Sequence, residues 1–96
     1  MVTVFTQFIA KHATAAAELE SIFQKLIRET PLEKGNLAYE VLVVQRIPNS
    51  YYVIEKWMSE ADLQNHITSV IEKGYAADAE VLLENELVNI IGQTLN

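Results

Sequence analysis

The segment from Asn36 to Ile47 restricts the fold more than any other part of the chain, because it is apolar on both sides of a predicted β-strand. Successive side chains of a strand point to opposite faces of the sheet. One predicted face carries Leu37, Tyr39, Val41 and Val43, and the other carries Ala38, Leu42 and Val44. An antiparallel sheet with one wet face alternates apolar and polar residues, so both faces of this sheet are expected to be covered.

The other segments predict the element order β-α-β-β-α-β. Strands are indicated over residues 2–10, 36–47, 51–58 and 86–95, and helices over 15–29 and 60–72. Thr14 is the predicted N-cap of the first helix, and Ser59-x-x-Asp62 resembles a capping box that opens the second. Residues 75–83 are ambiguous and are interpreted as one or two helical turns. This order is the ferredoxin-like α+β fold, a four-stranded antiparallel sheet with two helices on one face, predicted as a single domain over 1–96.

The same pattern predicts a homodimer. Two helices can cover only one face of a four-stranded sheet, and the second face is too apolar to remain in water. A symmetry-related copy is the simplest cover, with the two sheets packed face to face.

Composition excludes several functional classes. The chain has 7 basic and 13 acidic residues, which makes nucleic acid and anionic membranes poor partners. It has no cysteine, and the spacing of His12 and His66 matches no metal motif, so neither a metal nor a cofactor is predicted. No apolar run approaches the ~20 residues of a membrane span. No basic segment precedes the apolar N-terminus, so a signal peptide is not indicated and a cytoplasmic location is expected.

His66 is the first candidate for chemistry. It follows Leu63 by three positions and precedes Val70 by four, so it lies on or beside the sheet-facing stripe of the second helix. A neutral imidazole in a cleft can act as a general base near neutral pH. The alternative is a half-buried histidine that is hydrogen-bonded for structural reasons.

Glu55 and Trp57 lie two positions apart near the end of the third strand and therefore share a face. Glu55 can orient His66 or a substrate hydroxyl, and otherwise pairs with Arg46 or Lys56 at the sheet edge. Trp57 is expected either to wall an aromatic-binding pocket or to anchor the core.

Three further side chains are candidates for substrate binding: Tyr39, Gln7 and Tyr75. Tyr39 on the second strand lines the same cavity or simply supplies strand-favouring bulk. Gln7 is polar within an apolar strand and needs a partner, either a ligand or edge solvent, if it is buried. Tyr75 follows Gly74, where a segment can cover a pocket or lie on the plain surface.

The chain resembles the antibiotic biosynthesis monooxygenase family. The matching elements are Gly35-x-x-x-Tyr39, Pro48, Glu55-x-Trp57, Ser59, Leu63 and His66. They span about residues 30–69, and the element order extends the resemblance to the whole chain. The ordered set is fairly specific for the family and much less specific for a substrate.

This resemblance implies a dimeric α+β barrel with a small-molecule cavity between sheet and helices. Several family members oxygenate hydroquinones or polycyclic phenols with O2 and without flavin or metal, since a phenolate can itself pass an electron to O2. The implied roles are His66 as base, Glu55 as its orienter or a hydroxyl partner, and Trp57 and Tyr39 as pocket wall. The implied partners are a small aromatic substrate and O2.

Other branches of the family suggest alternatives. Haem-degrading members carry an Asn on the first strand, a Trp in the second helix and a His about ten residues later. Gln7, His66 and Ala76 stand at these places here, which argues against haem degradation. An isomerase of the same fold and a non-catalytic dimeric binding or stress-response domain remain open alternatives.

Overall fold

The computed structural model describes all residues, 1–96, and confirms the ferredoxin-like α+β fold. Its elements are β1 (Val2–Ile9), α1 (Ala13–Glu29), a 3-10 turn (Thr30–Leu32), β2 (Asn36–Val43), β3 (Ser50–Trp57), α2 (Glu60–Glu72), α3 (Tyr75–Glu80) and β4 (Val88–Gln93). The strands form one sheet in the order β2-β3-β1-β4, in which each neighbouring pair is antiparallel. The ambiguous segment after Gly74 is therefore a short third helix.

The helix-facing side of the sheet is set by the register of β1 against β3. Val4 pairs with Glu55 and Thr6 with Val53, and all four side chains are buried. Most of the core lies between this face and α1, whose buried residues are Ala15, Ala16, Leu19, Ile22, Phe23 and Leu26. This spacing is the i, i+3, i+4 pattern of a helix with one apolar stripe.

The opposite side of the sheet, the outer face, remains apolar and uncovered. It includes Phe5, Leu42, Val88 and Ile90, each between 42% and 66% exposed. Phe5 also makes an edge contact with Tyr52 on the neighbouring strand, at 6.0 Å between ring centroids. The prediction that both faces are apolar therefore corresponds to a large exposed patch on a single copy.

Several predicted boundaries were wrong, and β4, for example, covers Val88–Gln93 and not residues 86–95. The N-cap of α1 is His12 and not Thr14, because the His12 Nδ1 atom accepts a hydrogen bond from the Ala15 amide at 3.1 Å. β2 ends at Val43 and not at Ile47, because Arg46 and Asn49 adopt positive φ angles of 67° and 61° that cannot continue a strand. A loop of residues 44–49 therefore joins β2 to β3.

The N-terminus of α2 is capped by Ser59. Its hydroxyl oxygen accepts the Asp62 amide at 3.1 Å and donates its proton to Asp62 Oδ2 at 2.9 Å. Gly35 lies against the Asp62 carboxyl group, where a Cβ would overlap it, and has a φ of +80°. This contact sets the start of α2 directly beside the entry to β2.

No helix of the structure is long and apolar enough to cross a membrane.

Candidate functional site

A cavity of about 290 Å³ lies between the helix-facing side of the sheet and α2. Its lining is mainly apolar and comes from all four strands, α1, α2, α3 and the segment before β4. The polar side chains in its wall are Thr6, Tyr39, Glu55, His66 and Asn89. The cavity exists because α1 and α2 do not cover β4: Ile91 faces the helices but is 54% exposed.

His66 lies between two carboxyl groups. Its Nδ1 is 2.9 Å from Glu33 Oε1, and its Nε2 is 3.5 Å from Glu55 Oε1. The shorter contact is a hydrogen bond, whereas 3.5 Å is longer than an N–H···O bond. The two ring nitrogens are therefore not equivalent: Glu33 engages Nδ1, and Nε2 remains available to a group inside the cavity.

Trp57 contacts both Glu55 and His66. The indole Nε1–H donates to Glu55 Oε1 at 3.0 Å, and the indole ring lies 4.7 Å from the imidazole ring. Trp57 is completely buried and is not part of the cavity wall. Of its two predicted roles, the structure therefore places it as an anchor beneath the site.

Burial raises the pKa of the Glu55 carboxyl group, because removal from water disfavours the charged form. The neighbouring His66 and the Trp57 hydrogen bond oppose this rise, and Glu33 adds to it. Burial also raises the pKa of Tyr39, and the nearby Glu55 and Glu33 carboxylates raise it further. Tyr39 therefore keeps its proton and can donate a hydrogen bond from the cavity wall.

Four of the six predicted site residues come together and two do not. His66, Glu55 and Tyr39 line the cavity, with Trp57 directly behind them. Gln7 pairs with Tyr52 and alternates with buried Thr6, so it lies on the outer face of the sheet, away from the cavity. The one-residue alternation of a strand is the physical reason for this separation.

Tyr75 is the other predicted residue that lies apart from His66. Its hydroxyl donates to both oxygens of Glu29, at 3.1 Å and 2.8 Å, which connects α3 to the end of α1. It lines a second, adjoining cavity and not the His66 cavity.

Glu33 is the residue that sequence reasoning missed. It follows the 3-10 turn in an irregular connection, 33 positions before its partner His66. Helical or strand spacing gives no signal for a contact between a loop and a helix. The one feature of the sequence that could have drawn attention to Glu33 is its place two residues before Gly35, where the motif Gly35-x-x-x-Tyr39 begins.

The fold and this site define a class: a small α+β domain with a mainly apolar cavity between sheet and helices and a Glu-His-Glu set in which His66 and Glu55 are buried. The sequence model of the antibiotic biosynthesis monooxygenase family matches residues 1–77. The chain therefore belongs to the antibiotic biosynthesis monooxygenase family.

Several solved structures share the fold of this chain. A conserved protein from Methanosarcina mazei Go1 is 25% identical with a TM-score of 0.88, and the alignment covers 96% of this chain and 90% of that one. Rv0793 from Mycobacterium tuberculosis is 21% identical with a TM-score of 0.89, over 99% and 95%. SnoaB, a cofactor-independent oxygenase from Streptomyces nogalater, is 19% identical with a TM-score of 0.83, over 99% and 93%. The comparison with curated proteins gave no match.

Proposed function

We propose that this protein is a cofactor-independent monooxygenase that oxidises a hydroquinone-like or phenolic aromatic molecule with O2. The observation that carries the proposal is an apolar cavity of about 290 Å³ whose wall contains the His66–Glu55 pair. The fold shared with SnoaB, a cofactor-independent oxygenase, adds support. Such a site offers what a self-oxidising substrate needs, namely a base and a mainly apolar wall that can orient the ring.

His66 is the general base in this proposal. With its Nδ1–H donated to Glu33, the imidazole presents the lone pair of Nε2 to the cavity. The imidazolium that forms after proton transfer lies between the Glu33 and Glu55 carboxyl groups, which favour its positive charge. Glu55 is the second group that a substrate hydroxyl can contact, and Trp57 fixes its position.

The reaction balances without any other reductant. The phenolate passes one electron to O2, and the resulting radical pair combines at an ortho or para ring carbon that carries hydrogen (in a hydroquinone, an ortho carbon) to form a hydroperoxide. Loss of the C–H proton from that carbon then breaks the O–O bond, leaving a carbonyl on the ring and releasing the other oxygen atom as water. The phenol is oxidised by four electrons to the quinone, and O2 receives all four.

Substitution of His66 tests the role of the base. His66→Ala is expected to lower the rate of O2 consumption by about 10²–10⁴-fold, the usual contribution of a general base. An oxygen electrode with a panel of hydroquinones and phenols, on protein freed of metal, measures this rate. Asn65→Ala, at an exposed neighbouring position on α2, is the matched control and is expected to keep the full rate. Full turnover by His66→Ala would remove His66 from the mechanism.

An isomerase remains the second candidate, because the Glu33–His66–Glu55 contacts equally suit a proton transfer within one substrate. Product formation without O2 consumption is the result that would favour it. Binding of an aromatic ligand without any turnover would instead indicate a sequestering domain.

We also propose that the protein is a homodimer joined through the outer face of the sheet. Phe5, Leu42 and Ile90 are between 42% and 66% exposed on that face, and no helix covers them. A patch of this kind on a domain of 96 residues is typical of a protein interface.

A further inference from the structure

A second cavity of about 530 Å³ lies next to the His66 cavity, beneath α3 and the segment that leads into β4. The two cavities share five wall residues: Phe8, Leu26, Val70, Ala76 and Leu87. We propose that this outer cavity binds an apolar, uncharged side chain carried by the aromatic substrate whose ring occupies the His66 cavity. The inference rests on the proposed function for the identity of the ring, but its binding test does not depend on turnover.

The sizes of the two cavities favour a ligand that extends through both. Ligand sites usually measure ~300–1,000 Å³, so the His66 cavity alone, at about 290 Å³, is near the lower limit. The larger space beyond Ala76 is therefore available to whatever the ring carries.

The lining of the outer cavity selects an apolar group. Nine of its 13 wall residues are hydrophobic, including Ile22, Ala79 and Leu83 on its inner side. Its charged wall residues are Glu80, Glu84 and Glu86, all exposed and all acidic. Anionic side chains are disfavoured by repulsion from these three carboxylates, since like charges raise the free energy of binding.

The cations near this region do not cancel that preference. Lys25 and Lys73 lie 5.8 Å and 5.9 Å from the centre of the Tyr75 ring, and neither of them lines the cavity. Lys73 is already paired with Glu29 at 2.9 Å. Both positive charges therefore lie outside the cavity wall.

Backbone hydrogen bonds fix the position of one wall of the outer cavity. The Lys11 amide donates to the Leu82 carbonyl at 2.9 Å, and the Glu84 amide donates to the Ile9 carbonyl at 2.8 Å. An isolated bridge between Ala10 and Leu83 lies between these two bonds. The segment after α3 is therefore fixed to the end of β1. This wall of the outer cavity is already formed before a ligand binds.

A series of alkyl-substituted hydroquinones tests the inference on the unmodified protein. Isothermal titration calorimetry without oxygen measures affinity while turnover cannot consume the ligand. Affinity is expected to rise by about fourfold for each added methylene, the equivalent of ~0.8 kcal/mol for a buried CH₂ group. The same chain ending in a carboxylate is expected to bind at least tenfold more weakly than its methyl-ended analogue. Affinity that is independent of chain length would overturn the inference.

Ala76 lies at the boundary between the two cavities and provides the variant. Ala76→Phe is expected to abolish the gain from the alkyl chain, which is measured within each protein as the affinity for the alkyl hydroquinone divided by that for unsubstituted hydroquinone. Ala77→Phe, at the exposed next position of α3, is the matched control and should keep the chain-length dependence. Ala76→Leu, a smaller change with the same expected direction, serves if the Phe variant does not fold. An unchanged chain-length dependence in the Ala76 variants would also overturn the inference.

The two hypotheses fail in different ways. Chain-dependent binding without any O2 consumption would refute the monooxygenase and leave the outer cavity assigned. Turnover of hydroquinones with no effect of the chain would refute the outer cavity and leave the monooxygenase.

Discussion

At the scale of single residues, the arrangement around His66 predicts that Glu33 is a positioning residue. Glu33 reaches Nδ1 from a loop, at 2.9 Å, and so decides which ring nitrogen carries the proton in the neutral imidazole. In Glu33→Gln, the side-chain amide can either donate a hydrogen bond to His66 Nδ1 or accept one from it. It therefore no longer favours the His66 tautomer that is protonated at Nδ1. Turnover is expected to fall by about 10- to 100-fold, the scale of a misplaced catalytic group.

Two measurements separate positioning from a structural effect of Glu33. Nitrogen NMR of the His66 ring is expected to show a changed tautomer in Glu33→Gln, together with a shifted pH profile of turnover. Lys34→Gln, at the exposed next position, should change neither. An unaltered ring spectrum in Glu33→Gln would contradict the positioning role.

Glu55 makes a prediction about stability and pH. Because burial raises its pKa in the folded state, the folded protein holds this proton more tightly than the unfolded chain does. The contribution of Glu55 to stability is therefore fully present below its ordinary pKa and is lost as the pH rises through the raised value. Glu55→Gln removes this loss and keeps an acceptor oxygen for the Trp57 indole.

Urea denaturation at a series of pH values from 4 upward checks the sign. The free energy of unfolding of Glu55→Gln is expected to rise relative to that of the wild type as the pH increases. Glu18→Gln, an exposed carboxyl on α1, is the control and should follow the wild type. If the free energy of unfolding of Glu55→Gln instead falls relative to that of the wild type with increasing pH, the pKa of Glu55 is lowered and the burial argument is contradicted.

Sequence reasoning predicted Glu55, His66 and Trp57 as site residues but not their full arrangement. Strand alternation places Glu55 and Trp57 on one face, and helix spacing turns His66 toward them. Glu33 could not be predicted because its contact joins a loop to a helix. Gln7 was placed with the site on its chemistry, although the pairing of Gln7 with Tyr52 puts it on the outer face.

At the scale of elements, the two glycines with positive φ mark where the chain must turn. Gly35 precedes β2 with a φ of +80°, and Gly74 ends α2 with a φ of +81°. Only Gly35 is also in close contact, since a Cβ there would overlap the Asp62 carboxyl group. Gly92 has neither constraint, so the three positions separate backbone strain from steric overlap.

Alanine substitutions at these glycines are expected to give a graded series in urea denaturation. Gly92→Ala should change the free energy of unfolding by less than about 0.5 kcal/mol. Gly74→Ala is expected to cost about 1 kcal/mol from the left-handed backbone alone. Gly35→Ala should cost about 1–3 kcal/mol more, from overpacking against Asp62. Equal costs at Gly35 and Gly74 would show that the Asp62 contact relaxes freely.

The elements themselves were largely predictable, because each one has a strong local pattern. The apolar stripe of α1 and the Ser59 cap of α2 are features of short segments and appear directly in the sequence. The end of β2 was not predictable in the same way. Its apolar residues continue to Ile47, but the left-handed angles at Arg46 and Asn49 begin a loop.

At the scale of the whole molecule, the exposed outer face predicts a dimer. Light scattering is expected to give twice the 10.8 kDa chain mass at micromolar concentration. Ile90→Glu places a charge within the apolar patch and is expected to give a monomer, because burying an unpaired charge costs several kcal/mol. Leu32→Glu is the control: Leu32 is 87% exposed but lies in the 3-10 turn, away from this face.

A monomeric wild-type protein at that concentration would refute the dimer. A dimer that survives Ile90→Glu would place the interface on another surface.

The sequence by itself determined the element order, the sheet with two apolar faces, and the candidates His66, Glu55 and Trp57. These depend on local periodicity, which one strand or one helix expresses without its neighbours. Only the tertiary structure decided that Glu33 contacts His66, that Trp57 lies beneath the site, and that a second cavity adjoins the first. These features depend on how the helices lie across the sheet, and β4 extends past their cover. Packing between elements distant in sequence sets that geometry, and the hydrophobic periodicity within one element does not predict it.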